Sequence, residues 1–121
     1  QYAPYFENNS VQVIQPDMGN TGGITETKKI CDMAYVYDVS VQIHVCAGPI
    51  STAAALHMEC AIPNFVIHEH HRNCLYEANR KLAIYDYQPV NGKYKVPDLP
   101  GLGNEHSEYA LTHYSAKETI E

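Results

Sequence analysis

Three runs of apolar and β-branched residues along the chain each end in an ionisable side chain. The runs are residues 11–17 (VQVIQPD), which end at Asp17, residues 41–44 (VQIH), which end at His44, and residues 65–69 (FVIHE), which end at Glu69. The endpoints follow one another at intervals of 27 and 25 residues, about the length of one strand, helix and loop. This spacing predicts successive β/α units of a parallel barrel, in which the carboxyl ends of the strands meet at one face.

Helical patterns fill both intervals between these runs. The first begins at Ile24, and we expect its apolar stripe to lie against the outer wall of the barrel; the stripe consists of Ile30, Met33, Ala34 and Tyr37. A Gly48-Pro49 turn opens the second interval, where Ser51 or Thr52 would cap an alanine-rich helix over residues 53–60. Helix-sized crossovers imply that the three strands are parallel.

The regular spacing of strand-like runs ends after Glu69, and we divide the chain into two predicted parts. Residues 1–81 hold the barrel strands and helices, whereas residues 82–121 form an extended C-terminal segment. Within that segment, residues 82–87 and 94–96 flank an Asn91-Gly92 pair, which is typical of a hairpin or an extended arm. We expect this segment to pack against structure outside the barrel.

The fold class is therefore α/β, and specifically about the last three β/α units of a TIM-type barrel. A complete barrel needs roughly 200 residues or more, because eight strands must close before the sheet loses its edges. This chain has 121 residues. We therefore expect it to be part of a longer protein and to need the remainder for folding and activity.

Composition narrows the class of protein further. The chain is 45% hydrophobic and 18% charged, as in folded globular proteins. A net charge of −6 with only 8 Lys and Arg disfavours nucleic acid as a partner. No apolar run approaches the ~20 residues that span a bilayer, so a cytoplasmic location is the default expectation. The four cysteines form no CxxC pair, and we interpret Cys31 and Cys60, at helix positions, as buried thiols.

Asp17 and His44 are the first candidate catalytic pair. At the ends of neighbouring parallel strands they can come within hydrogen-bond reach, so that the carboxylate fixes the imidazole tautomer and raises its basicity. Taken singly, a strand-end aspartate often caps the next turn, and a lone histidine is often a satisfied core group. Their common register favours the catalytic interpretation.

Glu69 is the third candidate and stands in the cluster His68-Glu69-His70-His71. Imidazole and carboxylate are common metal ligands, but strand alternation sends His68 and His70 to the face opposite Glu69. We therefore expect Glu69 to point into the pocket and the histidines to pack outward or at the rim, without a metal site of their own.

An ordered set of motifs carries a family resemblance over nearly the whole chain. The motifs are QPD, GGITE, IH, GPI, NF and PGLG, within residues 14–34, 41–59, 63–71 and 96–105. Together they resemble the C-terminal part of the mandelate racemase branch of the enolase superfamily, and within it the acid-sugar dehydratases of the galactonate dehydratase type. The ordered set is far more specific than any single motif.

The resemblance implies a Mg²⁺-assisted hydro-lyase that acts on an acid sugar, such as the aldonate galactonate, and yields a 2-keto-3-deoxy acid. It assigns His44 as the base that removes the α-proton, Asp17 as the group that orients His44, and Glu69 as a hydrogen-bonding group for the substrate carboxylate or enediolate. His44 and Glu69 would both contact substrate. The metal ligands and the acid that assists hydroxide departure would lie on strands upstream of this chain, so we expect no metal ligand here. The resemblance also implies a missing N-terminal capping domain, on which residues 82–121 would pack.

Two other functions remain open. A racemase, epimerase or cycloisomerase of the same superfamily would share the Asp17–His44 pair without the elimination step. A degenerate barrel with a non-catalytic binding or structural role is the third possibility. Expected partners are the small sugar acid, the remainder of the same protein and, by family habit, further copies in a homo-oligomer, with neither nucleic acid nor membrane. The isolated chain is expected to be inactive.

Overall fold

Two short strands and several helices make up the computed structural model, which describes residues 2–114. The elements are, in chain order, helix α1 (Ala3–Glu7), strand β1 (Val13–Ile14), helices α2 (Met18–Thr21) and α3 (Ile24–Val36), strand β2 (Ser40–Val41), helix α4 (Pro49–Cys60), a 3₁₀ turn (Arg72–Leu75) and helices α5 (Glu77–Arg80) and α6 (Glu108–His113). None of the helices in residues 2–114 is both long and apolar enough to cross a membrane.

The predicted runs do lie side by side and parallel, although their regular strands are shorter than expected. β1 pairs with β2 in the register Val13 with Ser40 and Ile14 with Val41. Hydrogen bonding continues beyond both strands, since the His44 amide donates to the Pro16 carbonyl at 3.1 Å. The third run joins the other side of β2 through a parallel bridge between Val41 and Phe65. The middle run is therefore central, with the other two on either side.

The core lies between this sheet and helices α3 and α4. Val41, Ile43 and Val45 are each fully buried and belong to one apolar cluster with α3 and α4 residues that include Cys31 and Ala55. Strand side chains alternate between the two faces, so the residues in between, among them His44, lie on the opposite face. The helices thus cover one face of the sheet, and the candidate base His44 lies on the other face.

Helix α3 packs through a different face from the predicted stripe. Its buried residues are Thr27, Cys31 and Ala34, whereas Met33 and Tyr37 are each 41% exposed. Small side chains let the helix approach the sheet closely, and the Thr27 hydroxyl is satisfied by the Gly23 carbonyl at 2.9 Å. Of the predicted stripe residues, Ala34 is buried and Ile30 packs half-buried against the core, whereas the expectation for Met33 and Tyr37 was wrong.

Helix α4 begins earlier than expected. Its first residue is Pro49 and its N-cap is Gly48, so neither Ser51 nor Thr52 caps it. Proline suits the first helical turn because its missing N–H has no partner to bond there in any case. Cys60, at the end of the helix, is exposed, which corrects its assignment as a buried thiol.

The C-terminal segment contains the predicted turn at Asn91-Gly92, but not a hairpin between residues 82–87 and 94–96. Asn91 and Gly92 have φ angles of 51° and 73°, and they close a tight turn between Val90 and Lys93. Residues 82–87, however, do not pair with residues 94–96; Ala83 pairs antiparallel with His106. Residues 115–121 of the predicted segment 82–121 lie outside the described residues, and its boundary at residue 82 stays a prediction, as does its packing on a capping domain.

Candidate active site

Asp17 is held at the end of the first run by its own backbone and by the helix that follows. Pro16 precedes it and cannot donate a ladder hydrogen bond, so the strand stops there. Asp17 then serves as the N-cap of α2, where its Oδ1 accepts from the Gly19 amide at 2.7 Å. The carboxylate is only 14% exposed, and its second oxygen is left for another partner.

That second partner is His44. The imidazole Nδ1 of His44 lies 2.7 Å from Asp17 Oδ2. Because a carboxylate oxygen accepts, Nδ1–H is the donor, and in the neutral ring the lone pair is then on Nε2. The His44 side chain is 38% exposed, so Nε2 lies at an accessible face.

Glu69 reaches the same face from the third run. Its Oε2 accepts from the Val45 amide at 2.7 Å and lies 4.0 Å from His44 Nε2. The backbone directly after His44 therefore fixes the carboxyl group of Glu69. Its Oε1 has no hydrogen-bond partner among residues 2–114, which leaves that oxygen available to a ligand.

These three side chains together form an arrangement suited to general base chemistry. His44 Nε2 can take a proton, Asp17 can stabilise the imidazolium that results, and Glu69 can contact the same ligand. The structure brings together the three residues that the sequence analysis selected. Their catalytic roles stay predictions.

The neighbouring histidines do not join this group. His68 contacts Glu59, and His70 contacts Tyr94, both away from Glu69. Within residues 2–114 there is no group of three or more His, Cys, Asp or Glu side chains that could hold a metal ion. Three of the four carboxylate oxygens of Asp17 and Glu69 already accept hydrogen bonds, and the one that is left, Glu69 Oε1, does not by itself make a site for a divalent cation.

Sequence reasoning missed two contributors to the site region. The backbone amide of Val45 binds Glu69, and such a contact cannot be predicted from the residue type, because every residue except proline has this donor. Glu59 is buried and pairs with His68; a single acidic residue between Met58 and Cys60 in an apolar helix was a sign that it needs a buried partner.

Parallel β/α units with helices on one face, and with Asp and His at neighbouring strand ends on the other, define a barrel-type domain with an enzyme-like site. The family model described as enolase C-terminal domain-like matches residues 1–110. The chain therefore belongs to this family. The enolase superfamily consists of enzymes that generally use Mg²⁺.

Solved structures agree with this assignment. A member of the enolase superfamily from Salmonella Typhimurium is 62% identical, with a TM-score of 0.89, over 93% of this chain and 29% of that protein. A second Salmonella Typhimurium protein, provisionally named a dehydratase, is 54% identical, with a TM-score of 0.93, over 96% of this chain and 29% of that one. A Sinorhizobium meliloti protein, provisionally named an isomerase, is 35% identical, with a TM-score of 0.81, over 91% of this chain and 29% of that protein. The chain thus spans less than a third of the length of these relatives.

Proposed function

We propose that this chain is the C-terminal part of an acid-sugar dehydratase, a hydro-lyase that converts an aldonate such as galactonate to a 2-keto-3-deoxy acid. The observation that carries the proposal is the 2.7 Å contact between Asp17 Oδ2 and His44 Nδ1, which leaves Nε2 of His44 beside Glu69. The dehydratase name of the 54% identical relative supports this choice of reaction.

In the proposed reaction His44 Nε2 removes the proton on the carbon next to the substrate carboxylate. The electron pair of that C–H bond forms the enediolate, and Asp17 stabilises the imidazolium. The β-hydroxyl then leaves with a proton as water, and the enol tautomerises to the 2-keto product. The α-proton stays on His44 until the base is reset by solvent.

Glu69 is proposed to bind the substrate carboxylate or the enediolate. A glutamate donates a hydrogen bond to an oxyanion only in its protonated form. Oε2 accepts from the Val45 amide, so Oε1 is the oxygen that would carry this proton. The donor would then be held in place before substrate arrives, which is the arrangement that favours charge stabilisation in a transition state.

The Mg²⁺ ion implied by the family is proposed to bind residues outside this chain. The described residues do not offer a suitable donor group. We likewise propose that the acid assisting hydroxide departure lies in the remainder of a longer polypeptide, where it and the residues of this chain contact the substrate. We propose that this longer protein forms a homo-oligomer. A cytoplasmic location stays a prediction.

The second candidate is a racemase, epimerase or cycloisomerase of the same superfamily. The isomerase name of the 35% identical relative favours it, because that protein shares the fold of this chain. Proton removal by His44 would be common to both reactions, and they would separate only afterwards. A non-catalytic degenerate barrel is the third candidate.

A substrate screen of the longer protein tests the proposal. The protein is incubated with Mg²⁺ and a library of aldonates and aldarates, and 2-keto products are detected together with exchange of the α-proton in D₂O. A 2-keto-3-deoxy product supports dehydration. Exchange or inversion without loss of water would favour the isomerase class, and neither reaction with any acid would contradict the enzyme proposal.

A further inference from the structure

Within residues 2–114, side chains hold the strand end that carries Glu69 against the middle run. The last ladder bond of the third run joins the Val66 amide to the Val41 carbonyl at 3.0 Å. Within the described part of the chain, no backbone N–H or carbonyl of residues 67–70 makes a hydrogen bond. Against the middle run, the position of Glu69 therefore depends on side-chain contacts.

The strongest of these contacts is between His68 and Glu59. His68 Nδ1 lies 2.9 Å from Oε1 and 2.8 Å from Oε2 of Glu59. The two side chains are only 8% and 4% exposed. Loss of either partner at a site so little exposed would leave a buried polar group unpaired, so the hydrogen bond fixes His68.

Tyr94 supports the same face of the strand end. Its ring lies 4.4 Å from the ring of His68, centroid to centroid, and its hydroxyl contacts His70 Nδ1. Burial, together with the nearby Cys74 and Glu59, raises the pKa of Tyr94 to about 12. The phenol therefore stays protonated near neutral pH and can act as a donor.

His68 and Glu69 are joined by one peptide bond. Because consecutive side chains in extended backbone point to opposite faces, the two side chains make their contacts on different faces of the strand. On one face His68 binds Glu59, and on the other Glu69 binds the Val45 amide at 2.7 Å. A shift of the backbone at His68 would therefore also displace the backbone of Glu69. A misplacement of about 1 Å in a catalytic group can lower a rate roughly 100-fold.

We propose that the buried Glu59–His68 pair is a positioning device that holds Glu69 against the Val45 amide and beside His44. The consequence for catalysis rests on the proposed function. The effect on the hydrogen bond from Val45 to Glu69 does not, and it can be measured without substrate.

The first experiment measures amide hydrogen exchange at Val45 in the longer protein. We expect Glu59→Ala to speed exchange at Val45 by about tenfold, because Glu69 no longer stays in place to accept its hydrogen bond. Glu69→Ala removes the acceptor itself and should therefore give the fastest exchange at Val45. Glu77→Ala is the matched control, because Glu77 is 79% exposed in an ion pair with Lys81, and it should leave Val45 unchanged.

The double variant separates positioning from a general loosening of the fold. If Glu59 acts through Glu69, Glu59→Ala adds nothing to exchange at Val45 once Glu69→Ala is present. An equal increase in both backgrounds, or no increase in the single variant, would overturn the proposal. Glu59→Gln keeps one acceptor for His68 Nδ1–H at nearly the same volume, so it should give a smaller increase; a change as large as that of Glu59→Ala would also contradict the proposal.

Turnover provides the second readout, with the acid that the wild-type protein converts in the substrate screen. We expect Glu59→Ala to lower kcat by roughly 10- to 100-fold, with partial recovery in Glu59→Gln. Unchanged kcat alongside faster exchange at Val45 would overturn the catalytic part of the proposal. If the wild-type protein converts no acid, the proposed function fails, while the exchange data still decide whether the pair positions Glu69.

Discussion

Asp17 has two separate hydrogen-bonding duties, one for each carboxylate oxygen. Oδ1 caps helix α2 through the Gly19 amide, and Oδ2 binds His44 Nδ1. The hydrogen bond from Gly19 fixes where the carboxylate lies, and the hydrogen bond from His44 fixes the tautomer of the imidazole. A residue with one oxygen and one NH₂ group cannot perform both.

Replacing Asp17 by Asn should therefore lower activity far more than stability. If the amide oxygen caps α2, its NH₂ group faces Nδ1 of His44 and moves the ring proton to Nε2, which removes the lone pair of the proposed base. We expect α-proton exchange to fall roughly 10³-fold. The free energy of unfolding should change by about 1 kcal/mol or less, because the cap is kept.

Asp32→Asn is the control for loss of one carboxylate. Asp32 is 54% exposed and forms an ion pair with Lys28 on α3, away from the site. Its replacement should leave exchange unchanged. Retention of more than a tenth of the exchange rate in the Asp17→Asn protein would remove Asp17 from the orienting role.

The three candidate site residues could be selected from sequence because each follows an apolar run at the same point of a repeated unit. The Glu59–His68 pair could not be, since its residues lie in different elements and meet only through tertiary packing. Similarly, the stripe with Met33 and Tyr37 obeyed helical periodicity, yet close packing selected the smaller Thr27 and Cys31 for the buried face. Periodicity indicates that a helix forms, but residue volume decides which face packs most closely.

The C-terminal segment is organised around the pairing of residues 82–87 with residues 103–107. The Tyr87 hydroxyl donates to the Gly103 carbonyl at 2.5 Å, and Asn104 exchanges hydrogen bonds with the backbone of Tyr85. The Asn91-Gly92 turn was predictable because its signal is local. This longer pairing was not, because nothing in residues 82–87 identifies the partner.

Gly103→Ala should weaken this element. Gly103 has a φ of +68°, and an added Cβ would lie 2.3 Å from Pro97 Cβ. Backbone strain and the steric clash together should lower the free energy of unfolding by roughly 2 kcal/mol or more, measured by urea unfolding.

Gly101→Ala isolates the contribution of the clash. Gly101 has a similar φ of +65°, but an added Cβ would meet nothing within 4 Å. It should therefore cost only the backbone strain, about 1 kcal/mol. Equal losses for the two variants would show that Pro97 does not pack on Gly103 as described.

For the whole molecule, the exposed surface of the sheet is unusually apolar. Val13 in β1 is 47% exposed, and Val66 and Ile67 in the third run are 54% and 59% exposed. Such strand residues are normally covered by neighbouring strands or helices. This agrees with a role for the chain as one part of a larger barrel.

The isolated 121-residue polypeptide should therefore convert no acid sugar. The proposed metal ligands and the acid for hydroxide departure are expected elsewhere, and the exposed sheet residues should favour self-association. The measurement is 2-keto product formation with Mg²⁺, with light scattering to monitor assembly. The longer protein under the same conditions is the control, and appreciable dehydration by the polypeptide alone would contradict the prediction.

The most direct test of the account is α-proton exchange in the longer protein carrying His44→Asn, with an acid that the wild-type protein converts in D₂O. Asn is close in size to the inner part of the imidazole and can still bond Asp17, but it has no basic nitrogen at the Nε2 position. The account predicts that deuterium incorporation is abolished while the thermal unfolding curve stays close to that of the wild-type protein. Exchange at a rate comparable to wild type would contradict the role of His44 as the base.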